Sequence, residues 1–324
     1  MTRQLILSLA TCLLCIAQAP ETRRSAIRAQ MERVMGPAPD LPKVPLDVQT
    51  IESVREEAYE RRKITFAPEK GDRVPAWLLI PHNRERKAAA VLCLHQTVKI
   101  GKDEVVGINA RPNREIGKEL AARGFVVLAP DYPNFGEYKV DVYAMGYASA
   151  TMKGIWNHVR AVDLLQSLPE VDPNRIGAAG HSLGGHNSLF LASFDDRVRA
   201  VVTSCGFTSF RKYMKGDLTG WSHKGYMPRI AEVFGKDPAR MPFEFADIFE
   251  LIAPRPVFIN APIHDANFDL SGVRDTLEAA APFYRRHQAE GRLIAEHPDC
   301  AHDFPPDVRE RAYAFLKRWL AGGR

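Results

Sequence analysis

Beyond Arg62 the chain alternates between short, densely apolar runs and longer stretches whose apolar residues recur every three or four positions, the two periods that separate strands from helices. The β-rich runs are Ile64–Ala67, Val74–Ile80, Ala88–Leu94, Phe125–Ala129, Ile176–Ala179, Ala200–Ser204, Val257–Ile259 and Leu293–Glu296. Helical spacing falls between them over Arg114–Arg123, Met152–Leu168, Gly184–Phe194, Val273–Arg286 and Asp307–Leu320. The runs that begin at Ala88, Phe125, Ala200 and Val257 are continuous rather than alternating, as expected of strands covered on both faces. Strands alternating with helices predict an α/β fold: a mostly parallel eight-stranded sheet with helices on both faces.

Two stretches depart from that alternation. Arg3 precedes a nearly unbroken apolar run from Leu5 to Ala17, closed by Ala17-Gln18-Ala19. This pattern predicts a secretory signal peptide over residues 1–19, and hence a secreted or periplasmic protein; the plainer alternative is a buried N-terminal helix. The run is too short for a membrane span. Residues 20–62 are charged, helix-prone and broken by a proline-rich stretch at 36–42, and read as an N-terminal helical arm whose Ile27, Met31, Val34 and Met35 lie on the main body, residues 63–324. Within that body some fifty residues, 207–255, separate two strands, far more than a crossover of about a dozen needs. This insertion contains Phe207, Phe210, Tyr213, Met214, Trp221, Tyr226 and Met227. It forms a satellite core, a cap over a pocket, or both.

Composition narrows the function. With 45% hydrophobic and 26% charged residues in 324, the chain is neither disordered, collagen-like nor a coiled coil. The net charge of +5 is spread along the sequence, which argues against a nucleic-acid partner. Cys12 and Cys15 fall in the leader, leaving Cys93, Cys205 and Cys300, an odd number that argues against a disulfide framework. Cys93 sits inside a strand; Cys205 and Cys300 lie at strand–loop edges, where pairing after export stays open. Outside the leader, where Cys12 and Cys15 stand three apart, no Cys-x-x-Cys or His-Glu-x-x-His spacing occurs, so neither a metal nor another cofactor is expected.

The sharpest chemical signal is Gly180-His181-Ser182-Leu183-Gly184-Gly185, which follows a strand and opens a helix. Glycines flanking the serine let helix and strand approach while the serine takes a strained backbone conformation and points out of the sheet edge. Ser182 is therefore the expected nucleophile. A serine hydroxyl needs a base, and the base needs a group to orient it. His302, in the loop between the last strand and the last helix, is the expected base, with His297 the nearest rival. Asp265 and Asp269 both follow the strand at Val257; loop position favours Asp265 as the orienting acid, while Asp269 can cap the next helix. Acyl transfer also requires two backbone N–H groups for the oxyanion. Leu183, directly after the serine, supplies one, and Gln96 of His95-Gln96-Thr97 is the expected second. Tyr132, Phe207, Trp221 and Tyr226 are the expected pocket residues.

Taken with Val74-Pro75-Ala76-Trp77-Leu78-Leu79-Ile80-Pro81, Leu128-Ala129-Pro130-Asp131-Tyr132 and the segment Leu168–Gly177, these motifs resemble the α/β-hydrolase superfamily, and within it the bacterial branch of dienelactone hydrolase-like proteins and acetyl xylan esterases. The resemblance runs from about Arg73 to Leu320. It implies Ser182, Asp265 and His302 as a triad, with the amides of Leu183 and Gln96 as oxyanion donors. The chain departs from that pattern twice: Ser182 stands where true dienelactone hydrolases carry cysteine, and Gln96 stands where relatives usually carry glycine. The expected activity is hydrolysis of small carboxylic esters through an acyl-enzyme, on carbohydrate or plant-derived substrates. A prolyl oligopeptidase-like serine peptidase and a non-catalytic binding protein on the same scaffold are the alternatives.

Overall fold

The computed structural model describes residues 21–321. Nine strands form one sheet: β1 (Gln49–Arg55), β2 (Tyr59–Phe66), β3 (Val74–Pro81), β4 (Ala88–Leu94), β5 (Val126–Pro130), β6 (Val171–His181), β7 (Val198–Ser204), β8 (Val257–Asn260) and β9 (Leu293–Glu296). Their spatial order is β1-β2-β3-β5-β4-β6-β7-β8-β9. The pairs among β1, β2, β3 and β5 are antiparallel; β5-β4-β6-β7-β8-β9 is parallel throughout. The described α-helices are α1 (residues 21–35), α2 (Lys102–Val105), α3 (Ile116–Ala122), α4 (Ala150–Ser167), α5 (Leu183–Phe194), α6 (Arg229–Glu232), α7 (Phe245–Ile252), α8 (Leu270–Arg286) and α9 (Pro306–Trp319).

The side-chain period of two divides β4 between two apolar layers. Ala90, Leu92 and Leu94 join a core that includes residues of α1, α4, α5, α7 and α8; Ala89, Val91 and Cys93 join a second core with α3 and α9. Both faces being covered explains why β4 contains no polar residue.

The expected sheet of eight strands gains a ninth, β1, within the stretch expected to be a helical arm. Of the described residues of that stretch, only 21–35 are helical. β1 reads Gln-Thr-Ile-Glu-Ser-Val-Arg and is exposed along nearly its whole length. An edge strand wetted on both faces needs no apolar alternation, so hydrophobic periodicity does not reveal it. On α1, Ile27, Met31, Val34 and Met35 are buried, and Arg23 pairs with Glu250 at 2.7 Å while Arg24 donates to the Leu251 carbonyl at 2.7 Å. The leader expected over 1–19 lies outside the described residues. None of the described helices is long and apolar enough to cross a membrane.

Two further features matter below. Lys153 of α4 is fully buried, with its ammonium 2.6 Å from Asp72 Oδ2 and also paired with Glu69. Cys93, Cys205 and Cys300 are free thiols.

Candidate active site

β6 ends at His181 and α5 begins at Leu183, so one residue makes the turn. Ser182 has φ 54° and ψ −117°, a left-handed conformation forced by that sharp reversal. Tight approach makes the turn possible. A Cβ on Gly184 would lie 1.9 Å from the Leu94 carbonyl oxygen, and one on Gly180 would lie 2.4 Å from the Gly184 carbonyl carbon. The Ser182 N–H is tied to the Ser204 carbonyl at 2.8 Å, which fixes the elbow to β7. Leu183 opens α5, and first-turn N–H groups have no partner within their own helix.

His302 lies in the β9–α9 loop with Nδ1 2.9 Å from Asp265 Oδ2. A carboxylate can only accept, so Nδ1 carries the proton and Nε2 keeps its lone pair. Asp265 is fixed from its other side: Oδ1 accepts the N–H groups of Asn267 at 2.8 Å and Phe268 at 3.1 Å. Its side chain is 1% exposed, against 23% for His302. Asp269 is engaged elsewhere, capping α8 by accepting from Ser271 N at 2.8 Å. His297 donates to or accepts from nothing at this centre; its Nδ1 contacts the Ala261 carbonyl at 2.9 Å. His264 faces Asp299 at 2.8 Å near the surface.

Gln96 follows β4. His95 Nε2 accepts the Tyr132 N–H at 2.9 Å, so its Nδ1 donates to the Gln96 carbonyl at 2.7 Å and orients that peptide. The Gln96 side chain donates from Nε2 to Glu104 Oε2 at 2.6 Å.

Ser182, Leu183, Gln96 and His302 line one cavity of about 330 Å³. Its walls include Thr97, Arg111, His186, Tyr213, Trp221, Tyr226 and Phe268. Two expected pocket residues lie elsewhere. Tyr132 is buried against Gly154, its hydroxyl 3.2 Å from both Thr151 Oγ1 and the Gly225 carbonyl. Phe207 packs with Phe245 and Phe249 at centroid distances of 5.4 and 5.1 Å, within the main core that also takes Leu92 of β4 and Phe190 of α5. The insertion forms no separate satellite core: Phe207 joins the main core, while Trp221 and Tyr226 line the cavity.

Sequence reasoning missed Arg111, His186 and Phe268 as wall residues. His186 stands one helical turn after Ser182, a spacing that could have flagged it. Burial lowers the His186 pKa to about 3, so the ring beside Trp221 is neutral, and burial also holds His181 well below the usual histidine range. His181, Cys205 and His302 bring donor atoms within 4.8 Å of one another, the one such group among the described residues. These groups already have partners: His181 Nδ1 meets Ser204 Oγ at 2.8 Å, His302 meets Asp265, and the Cys205 thiol donates to the Asp303 carbonyl at 3.4 Å. Burial and the Asp265 charge raise the Cys205 pKa well above normal.

Comparison with known proteins agrees with this architecture. Residues 75–217 match the dienelactone hydrolase family. The chain is 26% identical over 311 residues to YtaP of Bacillus subtilis, covering 92% of this chain and 100% of the relative. Among solved structures, a glucuronoyl esterase from Solibacter usitatus superposes with a TM-score of 0.73 at 16% identity over 92% of each chain. Acetyl xylan esterase 1 from a Thermoanaerobacterium species superposes with a TM-score of 0.62 at 17% identity, covering 94% of this chain and 95% of that one. The mostly parallel sheet and these likenesses give the chain the α/β-hydrolase fold, with a match to the dienelactone hydrolase family over residues 75–217.

Proposed function

We propose that this protein is a serine hydrolase that cleaves carboxylic esters through an acyl-enzyme intermediate. The observation that carries the reading is Ser182, on a left-handed elbow, lining the same cavity as a His302 imidazole already oriented by a buried Asp265. The Ser182 hydroxyl attacks the ester carbonyl carbon as its proton passes to His302 Nε2, and Asp265 stabilises the imidazolium that forms. The N–H groups of Leu183 and Gln96 receive the oxyanion. Collapse breaks the bond to the alkoxide, which takes the proton from His302. Water then gives a proton to His302 Nε2 as it attacks the acyl carbon, the bond from that carbon to Ser182 Oγ breaks, Ser182 takes the proton back from His302, and the acid leaves. Every proton removed is returned, so the cycle runs on these side chains alone.

The aromatic walls suit a flat or ring-shaped substrate, since Tyr213, Trp221, Tyr226 and Phe268 offer faces for stacking. An acylated carbohydrate or plant-derived ester fits that lining, and both solved relatives named above carry carbohydrate-ester names. The apolar run and the Ala17-Gln18-Ala19 sequence support export to the periplasm or beyond.

A fluorophosphonate probe tests the nucleophile: it should label the protein at Ser182 and leave Ser182→Ala unlabelled. Labelling that survives Ser182→Ala would overturn the assignment. Short p-nitrophenyl esters should be hydrolysed and peptide anilides should not; the reverse preference would make the protein a peptidase. Cleavage of the predicted leader is read separately, from the N-terminus of the exported protein.

A further inference from the structure

The oxyanion residue and the base enter the cavity from strands that are not neighbours. Gln96 follows β4 and His302 follows β9, and β6, β7 and β8 lie between them in the sheet. Strand pairing alone leaves the spacing of the two loops free to vary. One side chain reaches both. Arg114, in the segment before α3, donates from Nε to Gln96 Oε1 at 3.3 Å and from Nη2 to the His302 carbonyl at 3.2 Å, while Nη1 pairs with Asp303 Oδ1 at 2.5 Å.

Its partners are themselves fixed. The other end of the Gln96 amide donates to Glu104, a fully buried carboxylate whose remaining oxygen takes the Arg111 Nε–H at 2.7 Å. The second oxygen of Asp303 accepts from Asn113 at 2.7 Å. The Arg114 side chain is 12% exposed and does not line the cavity. A planar guanidinium with five donors in a rigid fork suits three acceptors on two loops, which a lysine ammonium on a flexible stem does not. The same contact explains glutamine at 96: glycine there would leave Glu104 and Arg114 with nothing to hold on this loop.

We propose that Arg114 is a positioning residue that sets the distance between the oxyanion-side peptide at Gln96 and the imidazole of His302. The proposal rests on the reading of Ser182, Gln96 and His302 given above. It predicts loss of turnover without loss of binding, because Arg114 acts on the reacting groups through their loops and touches no bound ester.

The test is Arg114→Met, with kcat expressed per fluorophosphonate-labelled site so that misfolded protein does not count. The expected result is a fall in per-site kcat on the order of 100-fold, the usual effect of displacing a reacting group by about 1 Å, with KM within about threefold. A merely structural role would lower the labelled fraction and leave the per-site rate alone. A per-site loss below about tenfold, or a loss carried by KM, would overturn the proposal. Should Arg114→Met fail to fold, Arg114→Lys is read by the same criterion. If the unsubstituted protein is not labelled, the serine-hydrolase reading falls and takes the clamp with it. If both proteins label and turn over alike, only the clamp falls.

Discussion

Replacing Asp265 by asparagine changes one atom in a group whose orientation the fold dictates. Asp265 Oδ1 accepts two backbone N–H groups, from Asn267 and Phe268, while Oδ2 faces His302. An asparagine there must keep its oxygen toward the two amides, since turning it would set an NH2 against two donors and forfeit both hydrogen bonds. The NH2 therefore points at His302 Nδ1. The imidazole must then accept at Nδ1 and carry its proton on Nε2, where the proposed mechanism sends the serine proton. A base locked in the wrong tautomer costs on the order of 10⁴ in kcat, or about 5 kcal/mol of barrier. The assay is steady-state hydrolysis of p-nitrophenyl acetate normalised to labelled Ser182. KM should stay within about threefold, because Asp265 lies behind His302 and off the cavity wall. Asp269→Ala is the contrast: it removes the cap of α8, should cost about 0.5–2 kcal/mol of stability, and should leave per-site kcat near that of the parent. A loss below tenfold for Asp265→Asn, or equal losses for the two variants, would refute the argument.

Gly184→Ala places a methyl group 1.9 Å from the Leu94 carbonyl oxygen, so α5 must lift from β4; urea denaturation should show a loss of about 3 kcal/mol or more. Lys153→Met leaves the carboxylates of Asp72 and Glu69 buried without their cation, and should destabilise the fold by about 3–5 kcal/mol at neutral pH by the same measurement. Burial lowers the pKa values of His158 and His186 to about 3 from 6.5, so between those values the unfolded chain binds protons that the folded chain refuses. The stability these residues contribute is complete above about pH 6.5 and falls as pH drops toward 3, by about 1 kcal/mol per pH unit for each histidine. A urea midpoint that stays constant from pH 7 to pH 4 would contradict that linkage.

The elbow was legible in the sequence because its glycines answer to hard sterics, which few other residues could satisfy. The inner strands were legible for a related reason: β4, β5 and β8 are covered on both sides and contain almost nothing polar. β1 lacked such a signature because solvent reaches it on both faces. Aromatic identity marked pocket candidates without saying which way each ring turns, so Trp221 and Tyr226 of the insertion line the cavity while Phe207 of the insertion and Tyr132 after β5 pack away from it. The choice between Asp265 and Asp269 depended on which backbone amides each carboxylate meets, a matter of loop conformation. Arg114 carried no local pattern at all; its contact with His302 spans 188 residues and exists only once the sheet has brought both loops together.

The docking of α1 bears on the order in which the chain can assemble. Arg23 finds its carboxylate at Glu250, 227 residues later. At a synthesis rate of about 5–20 residues per second, this helix emerges roughly 11–45 s before its partner on α7 exists. During that interval the α7 part of the surface around α1 is missing, although Ser149 and Ser193, which also meet this helix, are already made. A truncated nascent chain ending before α7 should therefore remain open to proteolysis near its N-terminus, and the final closure of the molecule waits on its C-terminal third.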